Sequence, residues 1–161
     1  MANHIIRDSN GNYHIKSANH REILDLAASI VLESINNNDV LNCPDDTRNF
    51  LKFSLSGLEA ERFCVLYLDN RNRVIKFETA FHGTVNGSSV HPREIVKRSL
   101  QLNACAVIFA HNHPSGYIEE SDADKQITNR LKEALNLIDV RVLDHFIVGD
   151  GILSFAEKGI L

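Results

Sequence analysis

Residues 104–116 read ACAVIFAHNHPSG, and this stretch decides the fold. Its first seven residues carry no charge, which predicts a strand covered on both faces. The strand ends abruptly at His111, and Pro114 and Gly116 then favour a turn. Helical and strand patterns lie on both sides of it, which predicts an α/β (α+β) fold, a mixed β-sheet flanked by helices. Such folds place ligands where a loop leaves the end of a central strand.

The elements around this strand follow from the period of the apolar residues. Residues 63–68 (FCVLYL) and 74–81 flank a polar turn and predict a β-hairpin. Gly83 and Gly87 flank a predicted loop, and Pro92 suits the first position of a helix. Two strands, 140–148 and 152–155, follow the last long helix. The helix after Pro92 and the helix near Ser121 have apolar faces formed by Ile95, Val96 and Leu100, and by Ile127, Leu131, Leu135 and Ile138.

The N-terminal part predicts a lead segment followed by the main domain. Residues 1–18 are polar and mixed, as in a loose arm that has at most a short strand. A helix begins at Asn19, where Glu22 completes a capping box, and ends at the asparagines 36–38. A shorter helix follows Pro44 and ends at Gly57. We therefore expect an arm and lead helix over 1–40 and a main domain over 41–161. The apolar stripe of the lead helix consists of Ile23, Leu26, Ala27, Ile30 and Val31.

Composition narrows the classes of function. The 161 residues are 43% apolar and 24% charged, which is typical of a soluble globular protein. The net charge is −4 and no basic block is present, so the sequence does not support nucleic-acid binding. No apolar run approaches the ~20 residues of a membrane span, and the start lacks a signal-peptide pattern. Cys43, Cys64 and Cys105 are odd in number and widely spaced, which indicates buried thiols and a cytoplasmic protein.

Three side chains after the central strand form a candidate metal site. Residues i and i+2 of a strand point to the same side, so His111 and His113 can direct both imidazoles to one point. Asp124 precedes Ile127 by three residues, which places it on the core-facing side of the next helix. Two imidazoles and one carboxylate, with a fourth position free for water, are the ligand set of a catalytic zinc site.

Each part of this pattern also has an ordinary structural explanation. A His-x-His pair is by itself more often part of a surface loop than a pair of ligands. Ser121 and Asp124 have the spacing of a capping box, which alone would explain both residues. A serine fixed at a helix start could also direct its hydroxyl at a reacting oxygen. Spacing alone leaves these alternatives open.

Residues 111–124, HNHPSGYIEESDAD, fit the pattern His-x-His-Pro-x-Gly followed by Ser-x-x-Asp, with ten residues between the second His and the Asp. This pattern resembles the JAMM motif of the JAB/MPN metallopeptidases. Over roughly residues 45–161, the chain resembles the RadC family, a bacterial branch of JAB proteins. Separated matches carry this resemblance in the same order: 63–69, Gly83-Thr84, Pro92-Arg93-Glu94, Asn103-Ala104, Asp144-His145 and 154–159.

The resemblance implies a fold similar to that of the cytidine deaminases and a JAB catalytic domain over 41–161. It also implies that His111, His113 and Asp124 bind one zinc ion. Ser121 would stabilise the oxyanion of a tetrahedral intermediate. Full-length RadC proteins usually carry an N-terminal helix-hairpin-helix region, and nothing before Asn19 could hold one, so this chain resembles a short form.

The general base of JAMM enzymes is a glutamate on an earlier strand. Glu59 and Glu61 both precede the strand at 63–68. Glu61 adjoins that strand and is in phase with Phe63 and Val65, so we assign the base to Glu61 and keep Glu59 as the alternative.

These features predict a zinc-dependent metallopeptidase that hydrolyses a peptide or isopeptide bond of a peptide or protein substrate. The alternatives are a JAB-fold interaction module and a DNA-repair-associated factor with little catalysis. The contiguous triplet 111–113 is unlike the HNH nucleases, whose three residues are spread along a ββα unit. The Pro-Cys-x-x-Cys of zinc deaminases and the His-Glu-x-x-His of zincins are absent. His145 is interpreted as support for the site or as a hydrogen-bonded core histidine.

Overall fold

A computed structural model describes residues 5–37, 44–83 and 90–161. Parts of the sequence predictions lie outside these ranges: residues 1–4 of the arm, the helix end at Asn38, the boundary at 40–41, the thiol of Cys43, Thr84 and the loop residue Gly87. Within the described residues, no helix is both long enough and apolar enough to cross a bilayer.

A five-stranded sheet forms the centre of the molecule. Its strands are β3 (Arg62–Leu68), β4 (Val74–His82), β5 (Ala106–Asn112), β6 (Arg141–Val148) and β7 (Ile152–Ser154), in the spatial order β4-β3-β5-β6-β7. The β5–β6 pair is parallel and the other pairs are antiparallel. This confirms the predicted mixed sheet and the hairpin of β3 and β4. A separate N-terminal hairpin of β1 (Ile5–Arg7) and β2 (Tyr13–Ile15) stands where the sequence predicted a loose arm.

Helices cover both faces of the sheet, as the sequence predicted. The first layer contains α1 (His20–Asn37) and α2 (Pro44–Leu55), which pack on one apolar cluster with Cys64 and Leu66 of β3. The second layer contains α3 (Pro92–Gln101) and α4 (Asp122–Asn136), which pack on another cluster with Phe63 and Val65. Alternate residues of β3 therefore serve opposite layers.

The central strand β5 is buried along its whole length, which confirms the prediction made from its uncharged run. Ala106, Ile108 and Ala110 belong to the cluster of the first layer, and Val107 and Phe109 belong to that of the second. This alternation decides which way the polar residues at the end of the strand point. His111 continues the series of the second layer, and Asn112 continues that of the first.

Two predictions about the apolar faces of helices were wrong. In α1, Ile23 and Ile30 are 49% and 41% exposed, whereas Ala28 and Ile35 are buried. Apolar residues lie on more than one side of this helix, so their spacing did not identify the packed face. Leu100 of α3 is 56% exposed, and Ser99 is buried in its place because its hydroxyl donates to the Ile95 carbonyl at 2.8 Å.

The last predicted strand is shorter than expected. It ends at Ser154, and the short helix α5 (Phe155–Lys158) follows. The Ser154 hydroxyl caps this helix by accepting from the Glu157 backbone N–H, and Gly159 closes it with a φ of 71°. A serine that starts a helix and a glycine that ends it were the signals for this element.

Candidate metal centre

The imidazoles of His111 and His113 meet beyond the end of β5. Their Nε2 atoms lie 2.9 Å apart. His111 is fully buried and is the last residue of β5 that faces the second layer. His113 follows the strand, and its backbone N–H donates to the Val148 carbonyl of β6 at 2.8 Å. Gly116 then turns the chain with a φ of 85°, a conformation that favours glycine.

Asp124 approaches the same point from the first turn of α4. Its Oδ1 lies 3.2 Å from Nε2 of His111, and its Oδ2 lies 3.9 Å from Nε2 of His113. The side chain is buried, as its position before Ile127 predicted. Burial raises the pKa of Asp124, but the interaction with His111 and hydrogen bonds from Ser121 outweigh it, so the pKa lies below its ordinary value. A buried carboxylate is thus held in its ionised form.

Ser121 is the N-cap of α4, and the predicted capping box with Asp124 is present. The Ser121 oxygen accepts from the Asp124 backbone N–H at 3.1 Å, and the Ser121 backbone N–H donates to Asp124 Oδ2 at 2.8 Å. The Ser121 hydroxyl also donates to Oδ2 at 2.6 Å. Its proton is therefore directed at the Asp124 carboxylate here, and the hydroxyl would have to rotate to reach another oxygen.

Glu61 comes to the two imidazoles from the start of β3. Ligating atoms of Glu61, His111 and His113 all lie within 4.8 Å of one another. Among the described residues, this group includes Glu61 but not Glu59, which is exposed. The geometry therefore favours Glu61 over Glu59 as the acid that serves this site.

Asn112 holds the segment that carries Glu61, a role that was not predicted from the sequence. Its Oδ1 accepts from the Arg62 backbone N–H at 2.8 Å. Its Nδ2 donates to the carbonyls of Ala60 at 3.2 Å and Leu58 at 3.5 Å. The sequence does indicate on which side Asn112 lies, because successive residues of a strand point to opposite faces and Asn112 stands between His111 and His113.

His145 contacts His111 directly and is a buried, hydrogen-bonded histidine. It lies in β6, fully buried, and its Nε2 is 2.8 Å from Nδ1 of His111. The rings of Phe63, Phe109 and Phe155 surround it. Burial holds the pKa of His145 well below its usual value, so the ring is neutral. Its other nitrogen, Nδ1, lies 2.6 Å from the hydroxyl of Thr128.

The donor set fits a zinc ion. Nδ1 of His113 lies 2.9 Å from the Tyr117 carbonyl, which can only accept, so Nδ1 carries a proton and Nε2 is the nitrogen that can bind a metal ion. Nε2 of His111 lies 2.9 Å from Nε2 of His113 and 3.2 Å from Oδ1 of Asp124. In a tetrahedral site with metal–ligand bonds of ~2.0–2.1 Å, two ligand atoms lie about 3.3 Å apart, which is close to both distances. Nitrogen and carboxylate donors at such spacing are what a tetrahedral zinc site requires.

The loop between His113 and Ser121 is fixed to the C-terminal part of the chain. The Asp150 backbone N–H donates to the Gly116 carbonyl at 2.9 Å, and a Cβ at position 149 would lie 2.3 Å from that carbonyl oxygen. Position 149 therefore requires glycine. At the other end of the loop, Glu120 pairs with Lys158 of α5. The hydrogen bond from Lys158 is the main cause that lowers the pKa of Glu120 to about 2.

The family model described as the RadC-like JAB domain matches residues 41–160. The chain belongs to the RadC family. A UPF0758 protein of Thioalkalivibrio sulfidiphilus (strain HL-EbGR7) is 52% identical to it over 146 residues, which cover 91% of this chain and 66% of the relative. A UPF0758 protein of Nitrosococcus oceani is 54% identical over 139 residues, with 86% and 62% covered.

A shorter RadC relative is similar over nearly all of its length. This UPF0758 protein of Vibrio cholerae serotype O1 is 52% identical over 138 residues, which cover 86% of this chain and 88% of the relative. The chain thus spans about two thirds of the first two RadC relatives and most of the third. The names of these relatives state no activity.

Proposed function

We propose that this RadC protein is a zinc-dependent peptidase that hydrolyses a peptide or isopeptide bond. One observation carries the proposal: two imidazole nitrogens, a buried carboxylate and the carboxylate of Glu61 converge at the end of the central strand. His111, His113 and Asp124 would hold the ion. Zinc bound there supplies a hydroxide near neutral pH, since it lowers the pKa of its bound water to about 7.

The residues around the ion would handle the protons of the reaction. Glu61 would accept a proton from the attacking water and pass it to the leaving amine. Ser121 would stabilise the developing oxyanion after its hydroxyl turns away from Asp124. The substrate would be a peptide or protein, because a zinc site with a neighbouring carboxylate base suits amide hydrolysis.

The test combines metal analysis with a cleavage assay on the full chain. Purified protein should contain about one zinc per chain, and His113→Ala should lose it while keeping its fold, since His113 lies beyond the strand. A peptide library should be cleaved by the wild type, and a chelator should abolish cleavage until zinc is restored.

Two outcomes would decide against the proposal. Equal zinc in the wild type and in His113→Ala would remove the ligand assignment. A fully metallated protein that cleaves no peptide or isopeptide substrate would favour the interaction module, in which the ion has a structural role.

A further inference from the structure

A line of hydrogen bonds runs from α4 through β6 to the first imidazole. The hydroxyl oxygen of Thr128 lies 2.6 Å from the backbone carbonyl of Asp124 and 2.6 Å from Nδ1 of His145. Nε2 of His145 lies 2.8 Å from Nδ1 of His111. Thr128, His145 and His111 are all buried, with at most 1% exposed, so solvent does not compete for these bonds.

The single proton of the Thr128 hydroxyl fixes the direction of every bond in the line. A backbone carbonyl can only accept, so at 2.6 Å the hydroxyl proton points to Asp124. Toward His145 the oxygen can then only accept, and Nδ1 of His145 must be the protonated nitrogen. A neutral imidazole carries one proton, which leaves Nε2 of His145 as an acceptor.

The same rule determines the state of His111. Because Nε2 of His145 accepts, Nδ1 of His111 must donate, so the His111 ring carries a proton on Nδ1. Nε2 of His111, the atom that faces His113 and Asp124, is therefore the nitrogen whose lone pair can bind a metal ion. A lone pair on this atom is what a metal ion requires.

We propose that Thr128, acting through His145, keeps the proton of His111 on Nδ1 and so leaves Nε2 free to bind the metal. Both are positioning residues, and neither contacts the ion. The inference rests on the proposed metal function, but it also makes a statement about the metal-free protein. His113 needs no such relay, because the Tyr117 carbonyl sets its protonated nitrogen directly.

Without the Thr128 hydroxyl, the opposite arrangement becomes available. His145 can then carry its proton on Nε2 and donate to Nδ1 of His111. The proton of His111 moves to Nε2, where Oδ1 of Asp124 accepts it at 3.2 Å. An incoming metal ion would have to displace that proton, so its affinity would fall.

The experiment compares wild type with Thr128→Val, Thr128→Ser and Thr47→Val. Valine has nearly the shape of threonine but no hydroxyl, and serine restores the hydroxyl. Thr47 is a buried threonine of α2, in the layer on the other face of the sheet, and it controls for the general cost of the exchange. Long-range proton–nitrogen NMR of the metal-free proteins shows which nitrogen of His111 is protonated, and competition with a chromophoric chelator gives the zinc affinity.

We expect the proton of His111 on Nδ1 in the wild type, in Thr128→Ser and in Thr47→Val, and on Nε2 in Thr128→Val. Zinc should bind ~10–100-fold more weakly to Thr128→Val than to the other three proteins. A wild-type His111 protonated on Nε2 would overturn the proposal without any variant. So would Thr128→Val with wild-type protonation and zinc affinity. Wild-type protein that binds no zinc would refute the proposed function, whereas the NMR result would still decide the relay.

Discussion

Replacing Asn112 with alanine should disturb the position of Glu61 and leave the imidazoles of His111 and His113 in place. The substitution removes two well-formed hydrogen bonds, at 2.8 Å to Arg62 and 3.2 Å to Ala60, and one long bond of 3.5 Å to Leu58. A buried hydrogen bond contributes ~0.5–1.5 kcal/mol, so the two good bonds together account for about 1–3 kcal/mol of unfolding free energy. The backbone groups that lose these hydrogen bonds belong to the segment that positions Glu61.

The effect on function should be selective. Asn112 faces the first layer, away from the imidazoles, so His111, His113 and Asp124 should stay in place in Asn112→Ala. Displacement of Glu61 by about 1 Å is enough to lower turnover by ~10²-fold. Urea unfolding, zinc content and peptide turnover should be measured together. Asn129→Ala is the matched control, because Asn129 is an exposed asparagine of α4.

Two results would refute this reasoning. If Asn112→Ala loses zinc in proportion to turnover, the residue acts on the imidazoles rather than on Glu61. If turnover stays at the wild-type level while stability falls, the position of Glu61 does not depend on these hydrogen bonds.

Three further predictions concern the acids and the serine. Glu61→Gln should lower turnover by ~10²-fold or more with zinc retained, and loss of zinc instead would make Glu61 a ligand. Ser121→Ala should lose ~1 kcal/mol of stability and Ser121→Gly only a few tenths. If the hydroxyl also binds the oxyanion, turnover should fall ~10²–10³-fold in both variants, whereas turnover that follows melting temperature would make Ser121 only a cap. Glu120→Gln should lower the melting temperature at pH 7. Because pairing with Lys158 lowers the pKa of Glu120 from 4.5 to about 2, the difference from wild type should shrink as pH falls through that interval, and a constant difference would contradict the ion pair.

In the second layer, α4 and the start of α3 were predictable, because α4 has one clear apolar face and Pro92 suits the first position of a helix. Leu131 and Leu135 of α4 are fully buried, and Pro92 begins α3, as their spacing and position indicated. The face of α1 was not predictable, because Ile23 and Ile30 lie on one side of the helix and Ala28 and Ile35 on another, and only packing decides between them.

The site was predictable as a set of residues but not as a network. The strand period brought His111 and His113 together, and the capping box placed Asp124 beside them. The contact of His145 with His111 spans 34 positions of the chain, and nothing local in the sequence specifies it. The parallel pairing of β5 with β6, which sets His145 beside Phe109, creates that contact.

The alternation along β5 ties the site to the register of a single strand. Inserting or deleting one residue within β5 would exchange the sides on which His111 and Asn112 emerge. The imidazole would then enter the layer of α1 and α2, and the amide would face Asp124. Such a shift would displace the imidazole of His111 and remove the support of Glu61 in one step. Length changes should therefore be tolerated far less in this strand than in the surface turn 69–72, and grafting the site onto another protein would require the paired strands β3, β5 and β6 along with the motif.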